Sequence, residues 1–218
     1  MNNYFKTIII SLGMLLFADS SNAQISILKD YQNAISPSIG TFMGVAFREG
    51  GFSGLTAIPN TNGTEFWVLC DRGVNVDCAN ANLSTCRPTY DKMYGFPTFS
   101  PSIYRVRLKG SSIEILKKIT IKRPDGTGTT GLLNPTGFGS TATEVPSTDT
   151  VLNCSRFNLK TAAKDIWGTD PEGIAVDKQG NFWICEEGGP TIWKLNSNGV
   201  VINRFTPYAK QVGAQAED

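Results

Sequence analysis

Four carboxylates stand within one short stretch of this chain. Asp170 and Glu172 open the run Asp170-Pro171-Glu172-Gly173-Ile174-Ala175-Val176, and Glu186 and Glu187 close the run Phe182-Trp183-Ile184-Cys185-Glu186-Glu187. Carboxylates gathered this densely call for a cation, an arginine or a shared proton, because each raises the pKa of the next. Hard cations such as Ca²⁺ take oxygen ligands. The stretch reads as a cation site or an acid/base cluster; solvated loop acids are the competing reading, and the sequence leaves both open. A further acid and its neighbour, Asp71-Arg72, follow the run Phe66–Cys70. The planar fork of Arg72 suits a phosphate oxyanion, or an ion pair with a nearby acid.

Histidine is absent from the 218 residues. That excludes a Ser-His-Asp triad, a Cys-His dyad, a His-ligated zinc and a His general base. Any catalysis must use carboxylates, Lys, Arg, Tyr, Ser or a bound metal.

The elements that must position these groups are short strands. Gly173–Val176, Phe182–Cys185, Thr191–Leu195 and Val200–Phe205 are β-type runs. The polar turn Asp177-Lys178-Gln179-Gly180-Asn181, the break Glu187-Gly188-Gly189-Pro190 and the turn Asn196-Ser197-Asn198-Gly199 separate them. Four antiparallel strands joined this tightly have the dimensions of one propeller blade. In an antiparallel pair the start of one strand lies beside the end of the next, so all four acids are expected at one rim.

The pattern occurs earlier as well. Gly54, Phe66-Trp67 and Ile103-Tyr104-Arg105 match Gly173, Phe182-Trp183 and Ile192-Trp193-Lys194, and Asp71 falls near Glu186. A repeat of small all-β units is the signature of a propeller or related array. The expected fold is all-β and propeller-like, with antiparallel four-stranded blades in an incomplete ring, since two clear blades do not close one. Phe42–Phe47 is expected as one strand. Residues 73–101 and 124–150 are expected as loops, and Lys118, Thr120 and Lys122 as a solvated blade edge.

Four motifs, in order, carry a resemblance. Gly51-Phe52-Ser53-Gly54-Leu55, Cys70-Asp71-Arg72-Gly73, Asp170-Pro171-Glu172-Gly173-Ile174-Ala175 and Cys185-Glu186-Glu187-Gly188-Gly189-Pro190 resemble the "esterase-like activity of phytase" family of secreted bacterial proteins, over about residues 45–210. The resemblance implies a β-propeller and a phosphoester hydrolase. It implies Asp71, Arg72, Glu172 and Glu186 in catalysis, and Asp170, Glu172, Glu186 and Glu187 around Ca²⁺ or a similar divalent cation. The substrate would be a small-molecule phosphoester or ester. One departure is Cys185-Glu186-Glu187, where the family usually has a small residue and an Asp before the second acid. Pro171-Glu172-Gly173-Ile174-Ala175-Val176-Asp177 is also similar to gluconolactonase-type propellers, where a Glu in this context binds the metal and the substrate is a lactone. A non-catalytic secreted binding propeller is the third reading, because fold alone does not choose a function.

Formal charge is +1 with 18% charged residues, so bulk charge points to neither nucleic acid nor a membrane surface. Residues 1–23 have the layout of a signal peptide: Lys6, the apolar run Thr7–Phe17 that is too short to span a bilayer, and Ser21-Asn22-Ala23 before the cut. Residues 24–218 form the partial propeller domain, periplasmic or secreted and without a membrane-spanning segment. Five cysteines in an oxidising compartment leave at least one unpaired. Cys78 and Cys86 share one loop and are expected to pair, with Cys154 as competitor. Cys70 and Cys185 are expected as buried small hydrophobes at matching blade positions. N-terminal sequencing of the exported protein is expected to begin at Gln24, and a mature chain that retains Lys6 refutes the leader.

Overall fold

Short apolar runs between turn-forming clusters dictate paired strands, and the chain forms them. The structure, a computed structural model, describes residues 29–33, 36–42, 44–77, 92–135, 146–149 and 159–206. The chain divides into two units, residues 1–30 and 31–218, and every described strand lies in the second. No described helix is long and apolar enough to cross a membrane. The strands are β1 (Gln32–Asn33), β2 (Ser38–Phe42), β3 (Val45–Arg48), β4 (Phe52–Ala57), β5 (Glu65–Cys70), β6 (Asn75–Asp77), β7 (Lys92–Tyr94), β8 (Ser102–Lys109), β9 (Ser112–Thr120), β10 (Pro146–Asp149), β11 (Leu159–Thr161), β12 (Pro171–Val176), β13 (Phe182–Glu186), β14 (Thr191–Leu195) and β15 (Val201–Phe205).

Both expected blades are present. β4, β5, β8 and β9 form an antiparallel meander, which β1 extends by a parallel pairing with β9. β12 to β15 form the second meander, antiparallel throughout. Side-chain-to-backbone bonds shape its turns. Asp177 Oδ1 accepts the amides of Gln179 and Asn181 at 3.0 and 2.8 Å. Its other oxygen takes the Asn181 side chain, and these bonds, led by the Asn181 side chain, hold the carboxyl down at about 2. Asn196 repeats the device with the amides of Asn198 and Val200.

The core lies between the blades. Leu69, Ile103, Ile119 and Ile121 from the first pack with Phe182, Ile184, Trp193, Leu195 and Val201 from the second. Trp67 meets Phe182 edge-on at 5.0 Å, an arrangement aromatic pairs favour. The other face of the first blade buries Val68, Cys70, Tyr104 and Val106. Burial on both faces explains the unbroken apolar run Phe66–Cys70.

The inner strands of the two blades cross at Gly54 and Gly173. A Cβ at Gly54 would lie 3.0 Å from Gly173 Cα and 3.1 Å from Ile174 N. Both strands carry a bulge at the same repeat position, between Phe52 and Gly54 and between Pro171 and Gly173. Ser53, the bulged residue of the first, donates its hydroxyl to the Pro171 carbonyl at 2.6 Å.

Several expectations are corrected. Residues 42–47 are not one strand: β2 and β3 pair as an antiparallel hairpin, with Gly44 at φ 76° between them. The expected loops contain β6, β7 and β10, which together with β11 build a sheet of order β11-β10-β7-β6. Its strands are short and one pairing, β10 with β7, is parallel, so no alternation announces them. Lys118 is exposed on the uncovered part of β9, as expected of an edge lysine, and it also pairs with buried Glu49 and lies 6.0 Å over the Tyr104 ring. Cys185 is exposed while Cys70 is buried. The register shows that the two cysteines are not equivalent: Leu69 pairs with Gly54 as Cys185 pairs with Gly173, and Cys70 pairs with Phe52 as Glu186 pairs with Pro171. Cys70 therefore corresponds to Glu186 and Asp71 to Glu187, and a one-residue offset moves a side chain to the other face. Cys78, Cys86 and Cys154 lie outside the described residues.

A side chain at the crossing should not fit. Gly54→Val is expected to cost about 1–3 kcal/mol by overpacking, although Val favours strands elsewhere. Gly50→Ala, whose Cβ meets nothing within 4 Å, should stay within about 0.5 kcal/mol. Urea denaturation of the two variants checks this, and equal midpoints refute the crossing.

Candidate functional site

Where two strand ends meet is set by where their strands cross. With β4 and β12 locked at Gly54 and Gly173, the residue after β5 faces the residues that open β12. Asp71 follows β5, Asp170 precedes β12, and Glu172 is the bulged residue within β12. Each of the three offers a carboxylate oxygen, and these atoms lie within 4.8 Å of one another. The Asp71 amide donates to the Gly51 carbonyl at 2.8 Å, which carries the β4–β5 pairing one residue further and fixes where Asp71 leaves the sheet.

Arg72 reaches the same spot. Its Nε stands 3.1 Å from Asp170 Oδ2, and its backbone N–H donates to Asp71 Oδ1 at 2.5 Å. Nη1 donates to the Tyr94 hydroxyl at 3.3 Å, with the guanidinium 5.7 Å from the ring centre. Gly131 packs beneath: a Cβ there would fall 1.8 Å from the Arg72 carbonyl oxygen.

The electrostatics arise from burial and crowding. Asp170 is buried, and burial first, then a hydrogen bond shared with Asp71, push its carboxyl up to about 8 against the pull of Arg72. Glu172 is also raised, by burial and by the charges of Asp71 and Glu187. Asp170 Oδ1 is buried, and no donor among the described residues reaches it. A carboxylate oxygen in that position is satisfied by a shared proton or by a cation.

Glu186 lies behind this group rather than in it. Its Oε1 accepts the amides of Asp170 and Gly188 at 2.9 and 2.8 Å. Its Oε2 accepts the Gly189 amide at 2.7 Å and the Thr191 hydroxyl at 3.3 Å. Burial raises its pKa and these donors lower it. Glu186 thus ties the 187–190 turn to the backbone of Asp170. Glu187 is exposed, and its amide donates to the Asp170 carbonyl at 2.9 Å. The expected rim is real, and its acids fall into two layers: Asp71, Asp170 and Glu172 converge with Arg72, and Glu186 holds the turn.

Sequence reasoning missed the supports. Tyr94 sits in β7, inside an expected loop. The segment from Thr129 to Asn134 runs below the site: Thr130 O accepts the Thr169 amide at 2.8 Å, and Asn134 Nδ2 donates to the carbonyls of Asp165 and Gly168. Asp165 in turn accepts from Arg123, Thr130 and the Trp167 amide. No motif in the chain marks these contacts.

The family model for the esterase-like activity of phytase matches residues 48–217, a span that holds all four motifs and the whole site. The chain belongs to this family. No curated protein matches it, and no solved structure does. Membership of the phytase-like family sets it among phytase- and esterase-like hydrolases, for which small-molecule esters are the substrate class.

The raised carboxyl has a measurable consequence. Asp170 binds its proton up to about pH 8 when folded and only to the ordinary 3.8 when unfolded. Without divalent cations, its contribution to stability is full below the lower value and is lost as pH rises to the upper. Urea midpoints taken in chelator between these limits are expected to fall with pH, and Asp170→Asn should flatten the slope. A slope unchanged in the variant refutes the assignment.

Proposed function

We propose that this family member is a secreted phosphoester hydrolase that works with Ca²⁺ or a similar divalent cation. The observation that carries this reading is the convergence of Asp71, Asp170 and Glu172 beside Arg72, with one buried Asp170 oxygen that no donor among the described residues reaches. The donor set is all carboxylate oxygen, which fits a hard cation and not a soft one. Asp71, Asp170 and Glu172 would hold it, with Glu187 at the outer edge of the same field and Glu186 fixing Asp170. A cation bound there supplies charge stabilisation for a phosphoryl oxygen and a more acidic bound water.

The chain's own residues do the rest. Arg72, anchored on Asp170 and Tyr94, would set its positive charge beside a substrate oxyanion. Glu172 is the most exposed of the three acids and has a raised pKa; it is the carboxyl suited to move a proton, a role that needs a pKa near the working pH. With histidine absent, no other side-chain type in the site competes for that task. Residues 1–23 would direct the protein out of the cytoplasm.

The test is phosphate release from 4-nitrophenyl phosphate by the full chain, with Ca²⁺ and with chelator. Release is expected only with cation. Glu172→Gln is expected to lower it by at least about a hundredfold with the fold intact by circular dichroism. Hydrolysis of a lactone and of no phosphoester would move the protein to the gluconolactonase-type reading, and turnover of neither would leave a binding propeller.

A further inference from the structure

Asp71 has a second neighbourhood. It also lines a cleft of about 320 Å³, within the size range of small-molecule sites. The hairpin β2–β3 forms one wall with Ile39 and Phe47, and the segment after Arg72 forms the other with Val74 and Asn75. Phe47 is held in place by Phe42 and Phe96, at ring distances of 6.3 and 6.5 Å. Ile39, Phe47 and Val74 give the walls apolar surface beside polar Asn75, and Arg48 is the single cation among the described lining residues. Gly50 forms part of the floor and a Cβ there would meet nothing within 4 Å, so the cleft is empty at that point.

We propose that this cleft binds the organic group of the substrate, and that the substrate class is a monophosphate ester of an apolar, ring-sized group rather than a polyphosphorylated one. The inference rests on the hydrolase reading for the position of the phosphate and on the cleft alone for the rest. The physical reason is charge. A ligand bearing several phosphates needs a matching set of cations, and the described lining of this cleft offers Arg48 with the carboxylate of Asp71. Additional phosphates there would face like charge with little to offset it. A ring placed against Ile39, Phe47 and Val74 instead leaves water for apolar surface. With its phosphate at Asp71, Arg72 and the acids beyond, the ester bond lies at the boundary between the apolar and the charged halves.

Benzylphosphonate, whose carbon–phosphorus bond is not hydrolysed, separates the cleft from the chemistry. Calorimetric titration of the full chain with Ca²⁺ is expected to show it binding at least about tenfold tighter than methylphosphonate, since even one methylene in an apolar pocket is worth that much. Gly50→Leu fills the cleft and Val74→Asn makes its wall polar without adding charge; both are expected to erase that ratio while methylphosphonate binds as before. Myo-inositol hexakisphosphate is expected to bind no tighter than inorganic phosphate. Equal binding of the two phosphonates, or hexakisphosphate binding tighter than benzylphosphonate, overturns the proposal. If benzylphosphonate is preferred and no ester is turned over, the cleft stands and the hydrolase reading falls. If esters are turned over with no preference for an aryl group, the hydrolase reading stands and the cleft assignment falls.

Discussion

The contact on which the site depends is between two backbones. Packed sheets ordinarily sit about 10 Å apart because side chains fill the space between them. At Gly54 and Gly173 no side chain intervenes, and a Cβ at Gly54 would lie only 3.0 Å from the facing Cα. Glycine in a strand costs roughly 0.5–1 kcal/mol relative to Ala, so both blades accept that loss at the same repeat position. The return is geometric. The bulges at Ser53 and Glu172 fall just beyond the crossing, Ser53 locks onto Pro171, and the ends of β5 and β12 are drawn together. Acids about a hundred positions apart in sequence then share one small volume.

The two buried carboxyls beside that crossing are handled in opposite ways. Glu186 receives four donors, three of them amides from its own turn and from Asp170, and both oxygens are satisfied. Burying such a group is tolerable because its bonds replace those it made to water. Asp170 has Arg72 beside one oxygen and a hydrogen bond shared with Asp71, and its Oδ1 meets no donor among the described residues. The sequence supplies donors to Glu186 one strand away and leaves Asp170 Oδ1 without one among the described residues, as it does Glu49 Oε2. The contrast separates the acid that builds the turn from the acids left able to take a proton or a cation.

The blades were legible because their signals are local. Apolar runs, the Asp177 and Asn196 turns and the repeated Gly, Phe-Trp and Ile-aromatic-cation positions each act within a few residues, and β12 to β15 fall where those runs lie. The rim of acids was legible for the same reason, since antiparallel pairing fixes which ends meet. What failed depended on exact register or on distant contacts. Cys70 and Cys185 look equivalent along the chain, but the bulges and ladder register set Cys185 against Leu69 and Cys70 against Glu186. The sheet holding Tyr94 is built from strands of three or four residues, too short to show a period. That Arg72 turns to Asp170 rather than to a nearer acid is fixed by Tyr94 and by the close fit over Gly131, neither of which carries a sequence mark.

Scaffold and selectivity therefore rest on different parts of the chain, joined at Asp71. The crossing and the core behind it set where Asp71, Asp170 and Glu172 stand. The hairpin β2–β3 and the segment from Gly73 to Asn75 set what lies beside Asp71, and they take no part in the interblade core. Gly51 links the two, since its carbonyl holds the Asp71 amide and a Cβ there would lie 3.1 Å from Asp71 Cβ. Changes in the hairpin side chains alter the cleft without moving the acids, whereas changes at Gly54 or Gly173 move the acids whatever the cleft contains. An enzyme arranged this way can vary the group it accepts while its charged centre stays where the two glycines put it.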